Sequence, residues 1–380
     1  MERLLNLEEL GRRLATTDVL IMQLIKRRME LAEQVGKFKR QKDEPIFRAE
    51  IEDRRIQTIR DWATEHGLNP HFAELILYAL INESCKLQMI QLQQEKLEGE
   101  VQSEDEWYLQ LKRNLLTLTE RWCATYDSDY ESSFFATKAY LAFERKLLEV
   151  EVGKLQDHSC MLDLGCATGS VSFTLERFFE RVVGLDISQH MQSWANNIAE
   201  QRGVQDRVSF ECADLEDGIP LPDGSVSFVA MTLGTGGDVR DIRKVIDETV
   251  RVLKPGGRCF FSFYNREALV YRWEFLPWEI GLAATVNTHR DSLDVHSRST
   301  EKKDEVIPIF ARAYTREEVT DLFRRSGLAV SLQTYPAVSA ILPHELCSQL
   351  EVQEAVLAID AGLVDSSMGA YIIVIGEKPI

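Results

Sequence analysis

The segment Met161-Leu-Asp-Leu-Gly-Cys-Ala-Thr-Gly169 reads as a buried strand ending in Asp163, then a glycine-rich turn that opens a helix. Gly165 and Gly169 let backbone approach a ligand closely, and Asp163 is suited to receive a cationic amine. A phosphate cradle would want a lysine or bare amides instead. Twenty-three residues further on, Val-Val-Gly-Leu-Asp186 ends a second strand in an acid placed to take both ribose hydroxyls. After a third strand, Cys212-Ala-Asp-Leu215 is suited to bracket an adenine edge through Asp214 and the neighbouring backbone. Three such features at consecutive strand ends imply an adenosyl ligand with a charged tail, held where open α/β sheets bind small molecules.

A second constellation lies near the N-terminus. Arg28 interrupts an apolar helical stripe, where a lone cation is costly unless it meets an anion. Lys39 follows three turns later on the same face, and Ser84 and Gln88 share a face of a later helix. With Glu52 on the helix between, this polar set suits a small dicarboxylate held inside a helical assembly.

The elements that position these residues differ between the two parts. Positions 7, 10, 14, 17, 21, 24, 28, 31, 35 and 38 form a heptad stripe on one long helix, which Pro45 stops. A second helix is expected over 50–65, closed at Gly67, and a third from Asn69-Pro70 to about Glu98. Three such helices cannot bury that stripe within one small monomer, so an intertwined homodimer is expected. From Cys160 onward, apolar runs alternate with helical segments. Strands are expected at 160–164, 182–186, 208–212, 226–231, 258–263, 330–335 and 371–375, with a helix over 241–253 closed by Lys254-Pro-Gly-Gly257. The fold class is therefore a seven-stranded doubly wound, Rossmann-like α/β domain preceded by an all-α three-helix domain. The expected division is 1–98 and 99–380, with a helical lead-in over 101–150 and lid insertions at 264–313 and 336–370.

Composition narrows the chemistry. The 380 residues carry a net charge of −17, yet residues 1–100 hold 16 Lys/Arg against 18 Asp/Glu, so the acidity sits in the remainder. That disfavours nucleic acid as a partner. No apolar run approaches a membrane span, and the charged start of the chain does not read as a signal peptide. Seven scattered cysteines form no CxxC pair, which reads as reduced thiols in the cytoplasm, and the seven histidines show no metal signature.

Residues 130–335 resemble a class I S-adenosylmethionine-dependent methyltransferase. DLGCATG, GLDIS with His190-Met191 after it, CADLEDGIPLPDGSVSFV and VLKPGGRCFFSFYN follow that family's motif order. A dinucleotide-binding dehydrogenase would want a third glycine in the turn and leaves Pro-Gly-Gly unexplained. The resemblance implies S-adenosylmethionine as cofactor. It would be held by Asp163, Gly165, Cys166, Ala167, Gly169, Asp186, Ile187, Met191, Ala213, Asp214, Leu215 and Met231. The chain departs from the family at Ser227, where an acid is common. It departs again in the glycine-rich Thr232-Leu-Gly-Thr-Gly-Gly-Asp238, which by the resemblance borders the transferred methyl group.

Residues 1–98 resemble the all-helical chorismate mutases through RRMELAEQVGKFK, DEPIFRAEIEDRR and INESCKLQ. By this resemblance Arg28 holds a substrate carboxylate, and Lys39 and Gln88 contact the ether oxygen. Glu52 and Ser84 would assist at the ring hydroxyl and second carboxylate. Three family positions differ: the first-helix arginine falls on Gly11, beside Arg12 and Arg13, and two pocket positions fall on Arg48 and Ile51. An active mutase, an altered ligand pocket and a dimerisation module are all compatible with that pattern.

The methyl acceptor is expected to be a small molecule, either a prephenate- or aromatic-keto-acid-related compound or an unrelated metabolite. The first insertion mixes Tyr264, Tyr271, Trp273 and Trp278 with Arg266, Arg272, Arg290 and Arg298, which suits an aromatic or enolic acid or simply packs a lid. His289 is the base candidate for methyl transfer, with His296 a further one. Tyr126, Tyr130 and Phe134 are placed to close over the cofactor.

Overall fold

The computed structural model describes residues 7–42, 49–98, 103–131, 135–269, 284–287, 291–296, 306–342 and 346–380. Its contacts divide into two compact units, Met1–Trp107 and Tyr108–Ile380. The expected boundary at Gly99 lies outside the described residues.

The first unit is helical: α1 (Leu7–Gln41), α2 (Ala49–Glu65) and α3 (Pro70–Glu98). Asn69 caps α3 by accepting the His71 and Phe72 amides at 2.9 and 3.3 Å, with Pro70 at the first turn where its missing N–H costs nothing. The core of this unit is small, centred on Ile56, Leu77 and Ile81. The heptad stripe of α1 stays on the surface, with Leu24 67% and Leu31 54% exposed.

The division falls within α4 (Glu104–Trp122), and the second unit continues with α5 (Tyr126–Glu131) and α6 (Phe135–Val152). It continues as β1 (Cys160–Leu164), α7 (Ser170–Leu175), β2 (Arg181–Asp186), α8 (Gln189–Arg202), β3 (Val208–Cys212), β4 (Val226–Met231), α9 (Ile242–Val252) and β5 (Leu253–Asn265). Next come β6 (Ala284–Asn287), β7 (Ser292–His296), β8 (Val306–Phe310), β9 (Ala313–Tyr314), α10 (Arg316–Arg324), β10 (Ala329–Tyr335), α11 (Leu350–Gly362) and β11 (Tyr371–Glu377). Seven strands run in the order β10-β11-β5-β4-β1-β2-β3, with β9 pairing β5 off that path. Pairings from β3 through β5 are parallel, whereas β11 is antiparallel to both β5 and β10. β1 is buried at all five positions, as expected of a central strand covered by helices on both faces. One apolar cluster fills each face of the sheet.

Two features differ from the sequence expectation. β5 begins at Leu253, so Lys254–Gly257 lies within the strand instead of closing the helix before it. The register with β4 shifts between Val226 and Phe228, and Gly256 has φ +75°. The bulge is held because the Gly256 amide donates to Lys378 O and the Lys378 amide donates to Gly257 O, at 2.8 and 2.9 Å. Within the 264–313 insertion, β6, β7 and β8 form a separate antiparallel sheet that the pattern did not show. Ser227, the first departure from the family, sits at the start of β4, where it joins Asp157 and Ser159 at 3.0 Å each, away from the strand ends that carry the site.

Candidate functional site

The chain switches direction across the sheet between β1 and β4, and ligands bind at such points beyond the carboxyl ends of the strands. A cavity of about 180 Å³ lies there in the α/β unit. Its floor is built from the loops after the first four strands: Gly165 and Ala167, Asp186 and Ile187, Asp214 to Glu216, and Leu233, Thr235 and Asp238. Its wall is α4, whose Tyr108, Leu111, Leu115, Leu118 and Trp122 recur at three- and four-residue steps and face inward.

Gly165 has φ +68°, and a Cβ built on it would lie 2.5 Å from Thr235 Cγ2, so only glycine lets the β1 and β4 loops approach this closely. Ala167 holds φ 45° without being glycine, and its amide donates to Asp186 Oδ2 at 2.9 Å. Asp186 Oδ1 accepts the Ser188 amide at 2.8 Å. Burial raises the Asp186 carboxyl above its usual range against these two amides. Ser188 also caps α8 by accepting the Met191 amide at 3.3 Å, which seats Met191 in the wall.

Of the twelve cofactor-contact positions, seven line the cavity: Gly165, Ala167, Asp186, Ile187, Met191, Asp214 and Leu215. Asp163, Cys166, Gly169, Ala213 and Met231 are not part of this lining. Asp163 Oδ2 accepts both the amide and the hydroxyl of Ser172, at 3.1 and 2.7 Å, tying α7 to β1. Burial pushes the Asp163 carboxyl up to about 6 against those donors. Tyr126 and Tyr130 both line the cavity, their ring centroids 5.0 Å apart. Asp127, between them, accepts the Thr168 hydroxyl at 2.7 Å and so anchors α5 to the glycine-rich turn. Phe134 and His289 lie outside the described residues, as do Tyr271, Trp273, Trp278, Arg272, Arg290 and Arg298. His296 is described only as the last residue of β7.

Several lining residues had not been singled out. Lys112 on α4 pairs with Asp214 and donates to Glu216 Oε2 at 3.0 Å, while the Tyr108 hydroxyl donates to the same oxygen at 2.7 Å. Burial opposes the charge on Lys112, but the two acids outweigh it and hold the ammonium above its ordinary value. Burial also opposes ionisation of Glu216, but the Asp241 amide, Tyr108 and Lys112 hold its carboxyl below the usual range. The 108/111/115/118/122 spacing was the available signal for this wall.

Asp238 is the other such residue. Its Oδ1 is buried without a hydrogen-bond partner, and burial pushes the carboxyl up to about 8. Behind it, Glu144 on α6 accepts the Tyr140 hydroxyl at 2.6 Å and the Leu233 amide at 3.1 Å, and burial raises its carboxyl to about 7.

In the helical unit, α1, α2 and α3 bring Arg28, Lys39, Glu52 and Ser84 together near Cys85, whose thiol burial raises, with Glu52 adding to the effect, and Gln88 lies one turn after Ser84 on α3. Arg28 Nη1 donates to Ser84 Oγ and Leu80 O, both at 2.6 Å. Burial, and then Arg55, lower the Arg28 guanidinium from its ordinary value, with Glu52 opposing them. Lys39, Glu52, Ser84 and Gln88 are buried, and Gln88 Oε1 has no hydrogen-bond partner. Arg55, one turn after Glu52 and bonded to it at 2.8 Å, joins the cluster and had not been named among its residues. Gly11 faces open space, and its neighbours Arg12 and Arg13 both pair with Glu9. Ile51 lies on α2, while Arg48 falls outside the described residues.

Comparison with known proteins agrees with this division. Residues 162–261 match the family described as "Methyltransferase domain", and residues 10–89 match "Chorismate mutase type II". The chain thus carries a methyltransferase domain. Joined to it, on the N-terminal side, is a chorismate mutase domain. One similar protein is the ubiquinone biosynthesis O-methyltransferase of Coxiella burnetii, 32% identical over 119 residues, covering 31% of this chain and 49% of that protein. Another is the demethylmenaquinone methyltransferase of Leptospira interrogans, 34% identical over 102 residues, covering 26% and 41%. The chain therefore spans about half the length of the relatives it matches or less. Among solved structures, geranyl diphosphate C-methyltransferase from Streptomyces coelicolor is 17% identical with a TM-score of 0.42, covering 63% of this chain and 77% of that one.

The cavity's residues fit S-adenosylmethionine, the donor that a methyltransferase domain implies. Asp186 is aimed by two backbone amides, the Gly165 approach leaves no room for a Cβ, and an unpartnered acid suits a ligand carrying positive charge. Among the described residues no group of His, Cys, Asp and Glu is arranged to hold a metal ion, and no helix is long and apolar enough to cross a membrane.

Proposed function

We propose that this chain is an S-adenosylmethionine-dependent methyltransferase of a small molecule whose helical unit binds or rearranges chorismate. The observation that carries the first half is the cavity at the switch between β1 and β4, floored by Asp186 and Asp214 and walled by α4. When bound, S-adenosylmethionine supplies an electrophilic methyl group on a sulfonium. The chain's own work is then alignment and water exclusion: Asp186 takes the ribose, Asp214 faces the adenine edge, and α4 with Tyr126 and Tyr130 closes the space.

The buried polar set around Arg28 supports dicarboxylate binding in the helical unit. Because the two units are fused, the acceptor in this reading is a prephenate- or aromatic-keto-acid-related compound. The surface stripe on α1 supports a homodimer formed through this unit, and the seven free cysteines support a reducing, cytoplasmic setting.

Incubating the purified chain with methyl-labelled donor and chorismate, prephenate or phenylpyruvate tests the reading. Label in one of these acids supports it, and label in none breaks the link between the units. A second reading keeps the methyltransferase but reduces the helical unit to pairing subunits. Gly11 favours that reading, because the resemblance to the all-helical mutases places their first-helix arginine at this position. Under it, chorismate added to the intact chain is not consumed.

A further inference from the structure

The Gly-rich loop after β4 ends in Asp238, one of whose carboxylate oxygens has no partner among the described residues. Asp238 Oδ1 is buried and accepts no hydrogen bond, a state that costs free energy unless a ligand donates to it. The loop that carries it is held on every side. The Leu233 amide donates to Glu144 Oε1 at 3.1 Å and the Gly234 amide to Ser262 Oγ at 2.6 Å. The Arg312 amide donates to Gly237 O at 2.7 Å, and the Asp238 amide to Thr235 O at 3.0 Å. A Cβ on Gly237 would lie 2.5 Å from Arg312 O, so the glycines that depart from the family pattern let this loop pack flat and present Asp238 to the cavity.

The groups facing it are few. Tyr126 and Tyr130 of α5 lie within its electrostatic reach, with Glu144 of α6 acting on Tyr130 and Asp186 of β2 acting on Tyr126. No cation among the described residues pairs with Asp238. The cavity wall includes Leu118, Trp122, Leu233 and Tyr264 and is largely apolar, with Tyr126 and Tyr130 also lining it.

We propose that Asp238 is the proton acceptor of the methyl-transfer site and that the acceptor it serves is a hydroxyl compound, a phenol or an enol. The inference rests on the cofactor reading above and adds the base and the reacting group. An O–H can donate the hydrogen bond that the orphan oxygen lacks, whereas a carbon acceptor cannot. In the step, the acceptor's O–H bond breaks and its proton passes to the Asp238 carboxylate. The oxygen's electron pair forms the O–CH₃ bond, and the S–CH₃ bond breaks, its pair returning to sulfur to leave a neutral thioether. One carboxylate and one sulfonium become one carboxylic acid and one thioether, so charge balances.

The same geometry couples the cofactor's charge to the proton on Asp238. A sulfonium arriving in the cavity favours the carboxylate, arming the base. Loss of that charge on transfer favours the acid, which retains the proton it has taken. This can be read without knowing the acceptor.

The test is calorimetric titration of the intact chain at pH 8 in buffers of different ionisation enthalpy, with S-adenosylmethionine and, separately, S-adenosylhomocysteine. At that pH Asp238 is about half protonated, so binding of the sulfonium should release roughly half a proton and the thioether clearly less. Asp238→Asn and Asp238→Ala should abolish this excess release while leaving S-adenosylhomocysteine affinity within about threefold. Equal release with both ligands, or release that survives both substitutions, overturns the proposal. A tenfold or greater loss of S-adenosylhomocysteine affinity in both variants also overturns it, because Asp238 would then be holding the amino acid portion common to the two ligands. If neither ligand binds the unsubstituted chain, the cofactor reading fails and takes this inference with it.

Discussion

The two units handle buried polarity and apolar surface in opposite ways. The α/β unit closes its core within one chain, with both sheet faces covered and a binding cavity at the strand ends. The helical unit has a core of a few residues and leaves a run of leucines on α1 in the open. The charged Arg28 of its polar cluster is partnered by Ser84 and Leu80, although Gln88 Oε1 is not, whereas the cavity's Asp238 has a carboxylate oxygen without a partner. The contrast is between a unit whose apolar core is closed and one whose α1 stripe remains exposed.

The sharpest way to break the comparison is Arg28→Ala. If the helical cluster binds a dicarboxylate, losing its charged partner should lower chorismate turnover by roughly two to three orders of magnitude, read as the decay of chorismate absorbance. Turnover unchanged by the substitution would mean that the cluster only holds the helices together. Paired Leu24→Glu and Leu31→Glu should convert a dimer to a monomer in sedimentation, while the α/β unit keeps its fold. A dimer that persists would show that the α1 stripe is not the contact.

Asp238→Asn probes the complete unit. The carboxyl is raised in the folded chain and ordinary in the unfolded one, so between about pH 4 and pH 8 the folded state holds a proton that the unfolded state has lost. Stability contributed at this position is therefore present at low pH and falls as pH rises through that window. The variant should lose this slope and be more stable than the parent at pH 8 by about 1–3 kcal/mol, with the gap closing toward pH 4. Denaturant midpoints at the two pH values measure it, and a variant less stable at pH 8 would contradict it. The smallest effect expected is from Lys112→Met, which removes a part-buried ion pair at the adenine end and should cost about 1 kcal/mol, with cofactor affinity falling a few-fold.

Much of this architecture was legible in the chain. The DLGCATG and GLDIS segments carry their own strand, turn and helix signals, so Gly165 and Asp186 were placed by local pattern, and Ala167 by the family resemblance. The heptad stripe announced α1, and Asn69-Pro70 announced the start of α3. Asp238 was harder to assign because it sits beside residues distant in sequence, such as Tyr126 and Tyr130 of α5, so no local pattern marks it as unpaired. Asp163 lies one residue before the end of β1, yet the hydroxyl nine residues on occupies one of its oxygens, a contact that depends on how α7 turns back. The bulge at Gly256 arises from pairing with the far C-terminal residue Lys378, which a window of neighbouring residues cannot contain.

The most direct test of the account is equilibrium titration of the intact chain with S-adenosylmethionine, in parallel with Asp186→Ala. The account predicts saturable one-to-one binding by the parent and at least roughly tenfold weaker binding by the variant, because the substitution removes the acid that two backbone amides aim at the ribose. A flat titration for the parent, or equal affinity in the two proteins, would contradict it.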